Sequence, residues 1–313
     1  MRSCSECQAE APAAGRRRAL LICHAKTRAA RHSMEAAAAV LAEGGVELTQ
    51  LAWPGHEAMP AAIRRHAKEV DMVVLGGGDG TMNAAASALL ATQLPLGILP
   101  MGTANDLART LGIPPDPEAA ARIILAGERR RIDLGEVNGR PFFNVASIGL
   151  SVAITRELTT DLKRRWGRLA YALASLRALP RARPFHAELR YGERVEVVRT
   201  LQIAVGNGRY YGAGMVVAEH AEPDDGLLHL YSLEFERAWW LAALFPALRS
   251  GTQRRWRQVR AADCAEVELR TRRARRVDAD GELLTTTPAR FRVLPGALEV
   301  FVPPGTQAKE AGG

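Results

Sequence analysis

Apolar residues in the first half of the chain fall in short, nearly unbroken runs that alternate with amphipathic stretches. Residues 19–23 (ALLIC) read as a buried strand. A polar turn over 24–31 follows, then a helix over 34–42 with Ser33 placed as its cap and Gly44-Gly45 as its stop. Residues 46–51 alternate as a second strand, 61–68 read as a helix, and 72–75 form a third strand running into glycines. An Ala-rich helix over 81–91, a strand over 96–99 and a short helix over 105–111 complete the series. Such alternation predicts a parallel sheet covered on both faces.

From about Ile132 the pattern changes. β-rich runs recur at 142–145, 188–191, 194–205, 227–233, 266–270, 289–293 and 297–302, separated by Gly and Asn/Asp turns as in a sandwich. Helical blocks at 155–179 and 236–251 interrupt them. The predicted fold is α/β, with an N-terminal parallel-sheet domain over 18–135. A C-terminal β-sandwich-type domain with inserted helices spans 136–305, and tails cover 1–17 and 306–313.

Composition narrows the partners. The 313 residues carry 42 Lys+Arg against 34 Asp+Glu, a net charge of +8 that suits an anionic partner without choosing one. Aromatic residues at 5% are thin for stacking single-stranded bases, and the basic charge has no recognition module around it, so no nucleic-acid partner is expected. Residues 1–18 lack an apolar signal-type segment, and the uncharged stretch 80–105 is broken by Pro95, Gly97, Pro100 and Gly102. A cytoplasmic chain is therefore expected. Four cysteines, two of them the isolated Cys4-x-x-Cys7 pair, do not build a disulfide framework.

Chemistry concentrates at residues 76–81, GGGDGT, between a strand and a helix. Glycines there let backbone amides approach a phosphate chain, and a helix N-terminus adds partial positive charge. Two common phosphate loops are excluded, because no Lys ends the motif and Thr81 occupies the third glycine position of G-x-G-x-x-G. A carboxylate at Asp79 calls for a bridging Mg²⁺ or a ligand hydroxyl. Residues 100–106 (PMGTAND) follow the next strand, at the same end of a parallel sheet, where Thr103 and Asn105 offer polar groups and Asp106 a cap.

These segments, GGGDGTMNAAASALL, PLGILPMGTANDLARTLGIP and RRIDLGEVNGRPFFNVASIGL, resemble the diacylglycerol kinase catalytic family, in its bacterial lipid kinase branch. VGNGRYYGAGMVVAEHAEPDDGLLHLY and VDADGELL continue the likeness, which covers roughly residues 18–304. The resemblance implies a sheet like that of NAD kinases and phosphofructokinases, and an ATP- and Mg²⁺-dependent kinase acting on a membrane lipid such as diacylglycerol. It implies an ATP site formed by Gly78, Asp79, Gly80, Thr81, Met82, Asn83 and Thr103. Asp280 matches the family's general base, with Glu282 as its neighbour. The Asp225 side chain and the carbonyls of Glu222 and Leu227 match a Mg²⁺ site away from the reacting phosphate. The lipid partner implies peripheral contact with the inner face of the membrane, and homodimerisation is left open.

Three departures remove polar contacts: His24-Ala25 stands where the family has Asn-Pro, Ala84 where it has Glu, and Ala52 where Thr is common. Two rival readings follow, an NAD kinase-like enzyme and a catalytically weak lipid-binding regulator. Residues 163–183 read as a basic amphipathic helix, and ten arginines lie between 249 and 276. Trp239, Trp240, Leu241, Leu244 and Phe245 form either a core stripe or a membrane-facing patch. His186, His220 and His229 show no ligand spacing and read as structural or surface residues.

Overall fold

The computed structural model describes residues 17–24, 27–157, 174, 177, 179, 182–212, 214–237 and 239–306. β1 (Arg17–Cys23), β2 (Val46–Ala52), β3 (Met72–Gly77) and β4 (Leu96–Pro100) are parallel and ordered β2-β1-β3-β4. Every residue of β3 and β4 is buried, as in central strands covered on both faces. Helices supply that cover: α1 (Arg28–Glu43) packs on α5 (Pro117–Ala126), and α2 (Met59–His66) on α3 (Asp79–Thr92). The short α4 (Asp106–Thr110) follows the β4 loop. The loops leaving β1 to β4 all open at one end of the sheet, the usual ligand end of such folds.

The sheet continues past β4. β18 (Ala289–Phe301) pairs with β4 in parallel through Val300 and Leu96, and runs antiparallel to β5 (Arg129–Val137) and β15 (Glu266–Thr271). β8 (Phe185–Tyr191) and β9 (Arg194–Thr200) extend it beyond β15, and β6 (Arg140–Phe142) pairs with β5. A second, antiparallel sheet uses β7 (Val145–Gly149), β10 (Gln202–Gly206), β13 (Leu228–Leu233), β14 (Val259–Cys264), β16 (Arg276–Ala279) and β17 (Glu282–Thr286). The two sheets enclose Phe142, Leu189, Val267 and Phe291 from one side and Ile148, Ile203, Leu230 and Val277 from the other. A further apolar layer joins α6 (Leu150–Glu157), α7 (Trp240–Ser250), and the ribbon of β11 (Tyr210–Tyr211) and β12 (Met215–Val216). The architecture is thus a parallel α/β unit followed by a β-sandwich with inserted helices.

Local differences have local causes. α1 begins at Arg28 rather than after Ser33, because Thr27 caps it by accepting the Ala30 amide at 3.1 Å. The runs at 289–293 and 297–302 are one strand, β18, with an irregularity between Leu294 and Leu298 at Pro295-Gly296. The run 142–145 is broken at Phe143-Asn144, and 194–205 at Leu201. Residue 135 falls inside β5, and Leu298, Val300, Phe301 and Val302 bury themselves in the core of the first half. Cys4, Cys7, Ala25 and most of 158–181 lie outside the described residues. Among the described residues no helix is long and apolar enough to cross a membrane.

Candidate active site

The Gly-rich loop and the β4 loop touch. A Cβ on Gly78 would lie 2.9 Å from the Gly102 Cα, and one on Gly102 only 2.4 Å from the Gly78 Cα. Asn105, itself left-handed at φ 51°, clasps the second loop: its Oδ1 accepts the Gly102 amide at 2.8 Å and its Nδ2 donates to the Gly102 carbonyl at 3.0 Å. The Met101 amide donates to the Gly77 carbonyl at 2.9 Å. These glycines therefore fit two loops against each other as well as any ligand. Gly80 differs, since the nearest atoms to a Cβ there are His56 Cε1 at 3.7 Å and Glu282 Oε1 at 3.9 Å.

Asp79 opens α3, yet its carboxylate points to the neighbouring helix. Oδ1 accepts the Leu107 amide of α4 at 3.1 Å and the Asn144 side-chain amide at 3.4 Å. The sequence had suggested a metal or a ligand hydroxyl for Asp79; the structure gives it protein partners. Thr81, Met82 and Asn83 are buried, and Met82 belongs to the first core. They support the loop from behind, whereas Gly80 and the exposed Thr103 remain accessible.

Asp280 and Gly281 form the two-residue turn between β16 and β17, with φ of 49° and 85°. Both positions being left-handed is what a tight hairpin turn requires. The Asp280 carboxylate is held by a run of three amides: Oδ2 accepts Phe143 N at 2.7 Å, and Oδ1 accepts Asn144 N at 3.0 Å and Val145 N at 3.1 Å. Burial pushes its pKa up to about 7 against those amides, and the negative charge of Asp79 adds to the rise. Asn144 thus bonds both carboxylates, one through its backbone and one through its side chain. Asn207 steadies that segment, donating from Nδ2 to the carbonyls of Phe143 at 3.1 Å and Asp133 at 2.9 Å.

Glu282 crosses to the other half of the protein, where its Oε1 lies 2.8 Å from His56 Nδ1. His56 stands edge-on to Trp53, and Trp53 stacks flat on His24 with ring centroids 4.3 Å apart. These three rings follow β1 and β2 and form an aromatic wall beside Gly80. The sequence reading passed over Trp53, His56, Asn144 and Asn207. Only the place of Trp53 and His56 after a parallel strand marked them.

The turn around Asp225 is closed by its own hydrogen bonds. Oδ1 accepts Leu227 N at 2.9 Å, and Oδ2 accepts Glu222 N at 3.1 Å and lies 2.8 Å from His229 Nε2. His229 Nδ1 lies 2.8 Å from Asp263 Oδ1, so this buried ring sits between two carboxylates. Burial works against its imidazolium, but the two carboxylates outweigh burial and raise its pKa. Burial likewise opposes ionisation at Asp225, and the His229 and amide bonds overcome it to hold that carboxyl low. His229, read from the sequence as structural or surface, is a buried ring held between two carboxylates, and its ligand atom lies within 4.8 Å of those of His220 and Asp263, a grouping the sequence spacing did not show. Asp224 is not at the turn's centre but pairs with Arg130, whose Nε is 2.7 Å away.

Known proteins agree with this architecture. Residues 18–137 match the diacylglycerol kinase catalytic domain, and 144–302 match the YegS C-terminal NAD kinase beta sandwich-like domain. The "Probable lipid kinase YegS-like" protein of Pseudomonas aeruginosa is 35% identical over 299 residues, covering 92% of this chain and 95% of that one. A diacylglycerol kinase of Mycobacterium tuberculosis is 33% identical over 285 residues, covering 88% and 91%. Two crystal structures from Bacillus anthracis str. Sterne share the fold. One has a TM-score of 0.80 at 24% identity, covering 92% and 95% of the two chains. The other, a diacylglycerol kinase, has a TM-score of 0.72 at 22% identity, covering 92% and 97%. The chain belongs to the diacylglycerol kinase and YegS-like lipid kinase family, a family of phosphotransferases.

Proposed function

We propose that this protein transfers the γ-phosphoryl group of ATP to a hydroxyl of a membrane lipid such as diacylglycerol. The observation that carries the reading is the bridge through Asn144, which brings the GGGDGT loop and the Asp280 hairpin to one point of the cleft. Phosphoryl transfer needs positioning, charge neutralisation and an acceptor for the hydroxyl proton. The Asp79 and Gly80 amides lie in the first turn of α3, where helix amides have no partner within the helix and the helix dipole attracts phosphate. Among the described residues Asp280 Oδ2 accepts one amide, so it keeps room for the hydroxyl proton, and a proton affinity near neutrality suits that task. As the new O–P bond forms, ADP leaves and the proton passes to Asp280. Glu282, tied to His56, closes the cleft over Gly80.

Mg²⁺ would be held at Asp225 Oδ1, which accepts one amide among the described residues, and at the carbonyls of Glu222 and Leu227 in the same turn. This is a set of hard oxygen ligands of the kind Mg²⁺ takes, and the bound ion would supply charge that fixes the turn. Asp225 Oδ2 is engaged separately, 2.8 Å from His229 Nε2. The His24–Trp53 stack follows β1 and β2, where the departures at His24 and Ala52 fall, so a nucleotide base bound at that end would meet rings. An acceptor in a bilayer calls for peripheral contact with the membrane, at its inner face in this reading. A panel of lipids incubated with labelled ATP and Mg²⁺ tests the reading: label appearing in a diacyl lipid supports it. ATP binding without any labelled lipid would leave a lipid-binding regulator instead.

A further inference from the structure

We infer that the outward face of α7, with the arginines flanking it, is the surface that docks on an anionic lipid bilayer. The inference deepens the lipid kinase reading and rests on it for the reason a bilayer must be reached. α7 already has a satisfied inner face: Leu241, Leu244, Ala247 and Leu248 are buried in the layer that includes Tyr211, Met215 and Val217. Its outer face is nonetheless aromatic. Trp239 is 56% exposed, Trp240 44% and Phe245 47%. The two indoles stack on each other with centroids 4.2 Å apart, covering part of their rings in the absence of any other partner among the described residues. The alternatives in the sequence are resolved by splitting them, since the leucines are core and the aromatics are surface.

Charge identifies the occupant. Residues 236–260 carry six arginines and a single acid, Glu236. Arg254 pairs with Asp263, Arg255 with Glu219, and Arg260 with Glu196 and Glu234. Arg237, Arg249 and Arg257 have no carboxylate partner among the described residues, and the Arg249 guanidinium lies 5.9 Å over the Phe245 ring. Exposed indoles flanked by unpaired arginines match the interface of an anionic bilayer, where rings settle at headgroup depth and guanidinium groups meet lipid phosphates. A second copy of this chain would bring like charges together across the same face. The face is also close to the cleft in the fold: α7 packs on β12, while its partner strand β11 packs on α4, the helix that Asp79 caps.

The test is cosedimentation of the full-length protein with two vesicle types at several salt concentrations. One is phosphatidylcholine alone, the other phosphatidylcholine with phosphatidylglycerol. Wild type should bind the mixed vesicles, more weakly as salt rises, and the neutral ones little. Replacing Trp239, Trp240 and Phe245 together by Ser should reduce partitioning at least about tenfold with an unchanged melting temperature. Arg237→Gln, Arg249→Gln and Arg257→Gln, at about fivefold each, should together cost about a hundredfold and flatten the salt dependence. Equal binding by wild type and the aromatic variant, or equal binding to both vesicle types regardless of salt, would overturn the assignment. So would a wild-type dimer in dilute solution that the aromatic variant converts to monomer. Turnover of a short-chain diacylglycerol kept below its micelle concentration separates this from the kinase reading. The aromatic variant should phosphorylate that monomeric lipid as well as wild type does. If wild type phosphorylates it but binds no vesicle, the docking face fails alone. If the variant loses vesicle binding while wild type phosphorylates no lipid, docking stands and the kinase reading fails.

Discussion

Asp280→Asn separates a proton acceptor from the turn that carries it. The substitution keeps the shape, and Asn is among the few residues at ease at a φ of 49°. With its oxygen at the Oδ1 position, Asn retains the bonds from Asn144 and Val145 and turns its own N–H₂ toward the Phe143 amide. One hydrogen bond is lost and one buried amide faces another donor, a loss of about 1–3 kcal/mol. A domain with about 5–15 kcal/mol of stability remains folded after that loss. The catalytic effect is larger, because a positioned base contributes about 10²–10⁴-fold. The assay is ATP turnover on diacylglycerol in mixed micelles from acid to alkaline pH, with ATP binding titrated separately and melting followed in parallel. The variant should lose at least about tenfold in kcat with ATP affinity little changed. Wild-type kcat should rise with pH through about 7, as the carboxylate becomes free to accept a proton, and the variant should lack that limb. The stability sign is opposite. Asp280 has its pKa raised on folding, so its contribution is full at acid pH and is lost as pH climbs through about 7. A well-folded Asp280→Asn enzyme with kcat within about tenfold of wild type would refute the argument and reduce Asp280 to a tie between the hairpin and residues 143–145.

Four further perturbations test the same geometry. Asp79→Asn keeps an oxygen for Leu107 and Asn144 but removes the charge that helps raise Asp280, so the acid limb of kcat should move to lower pH; an unmoved limb means the two carboxylates are uncoupled. Gly102→Ala forces a Cβ within 2.4 Å of the Gly78 Cα and should part the loops, weakening ATP binding and lowering the melting temperature. Gly80→Ala, with nothing nearer than 3.7 Å, should melt as wild type does; equal melting of both variants would show that the loops do not need this contact. Mg²⁺ should raise the wild-type melting temperature in a concentration-dependent way and leave Asp225→Asn unmoved, and equal responses would place the ion elsewhere.

Much of the frame was legible because burial writes itself into composition. β3 and β4 are continuous apolar runs since both their faces are covered, and Gly78 and Gly102 stand where two loops must meet. The strands around Asp280 were not legible. β16 and β17 are short and polar on one side, and the pairing of β16 with β7 rests on Val277, Asp278 and Ala279 meeting Ile148, Ser147 and Ala146, residues far away in sequence. The roles of Asn144 and Asn207 were hidden for the same reason: an Asn in a strand connection has no periodicity, and its meaning lies in carbonyls and carboxylates brought to it by the fold. The protein partner of Asp79 was hidden as well, because the Leu107 amide that it caps lies 28 residues onward.

The return of the C-terminal strand explains why the cleft holds its shape. The GGGDGT loop belongs to the parallel sheet and Asp280 to the second sheet, so a flexible linker between the two would leave their spacing undefined. β18 removes that freedom: it pairs with β4 at Val300, with β5 along most of its length and with β15 on its other side. Asp133 reinforces the joint, its two oxygens accepting the Gly226 and Gly296 amides at 2.7 Å each and so tying the Asp225 turn to the bend in β18. Across the cleft, the Asn144 bridge and the His56–Glu282 contact are then short polar links between surfaces already held in register. A base that must sit within hydrogen-bond reach of a lipid hydroxyl needs that rigidity, because a displacement of about 1 Å is enough to lose about a hundredfold in rate.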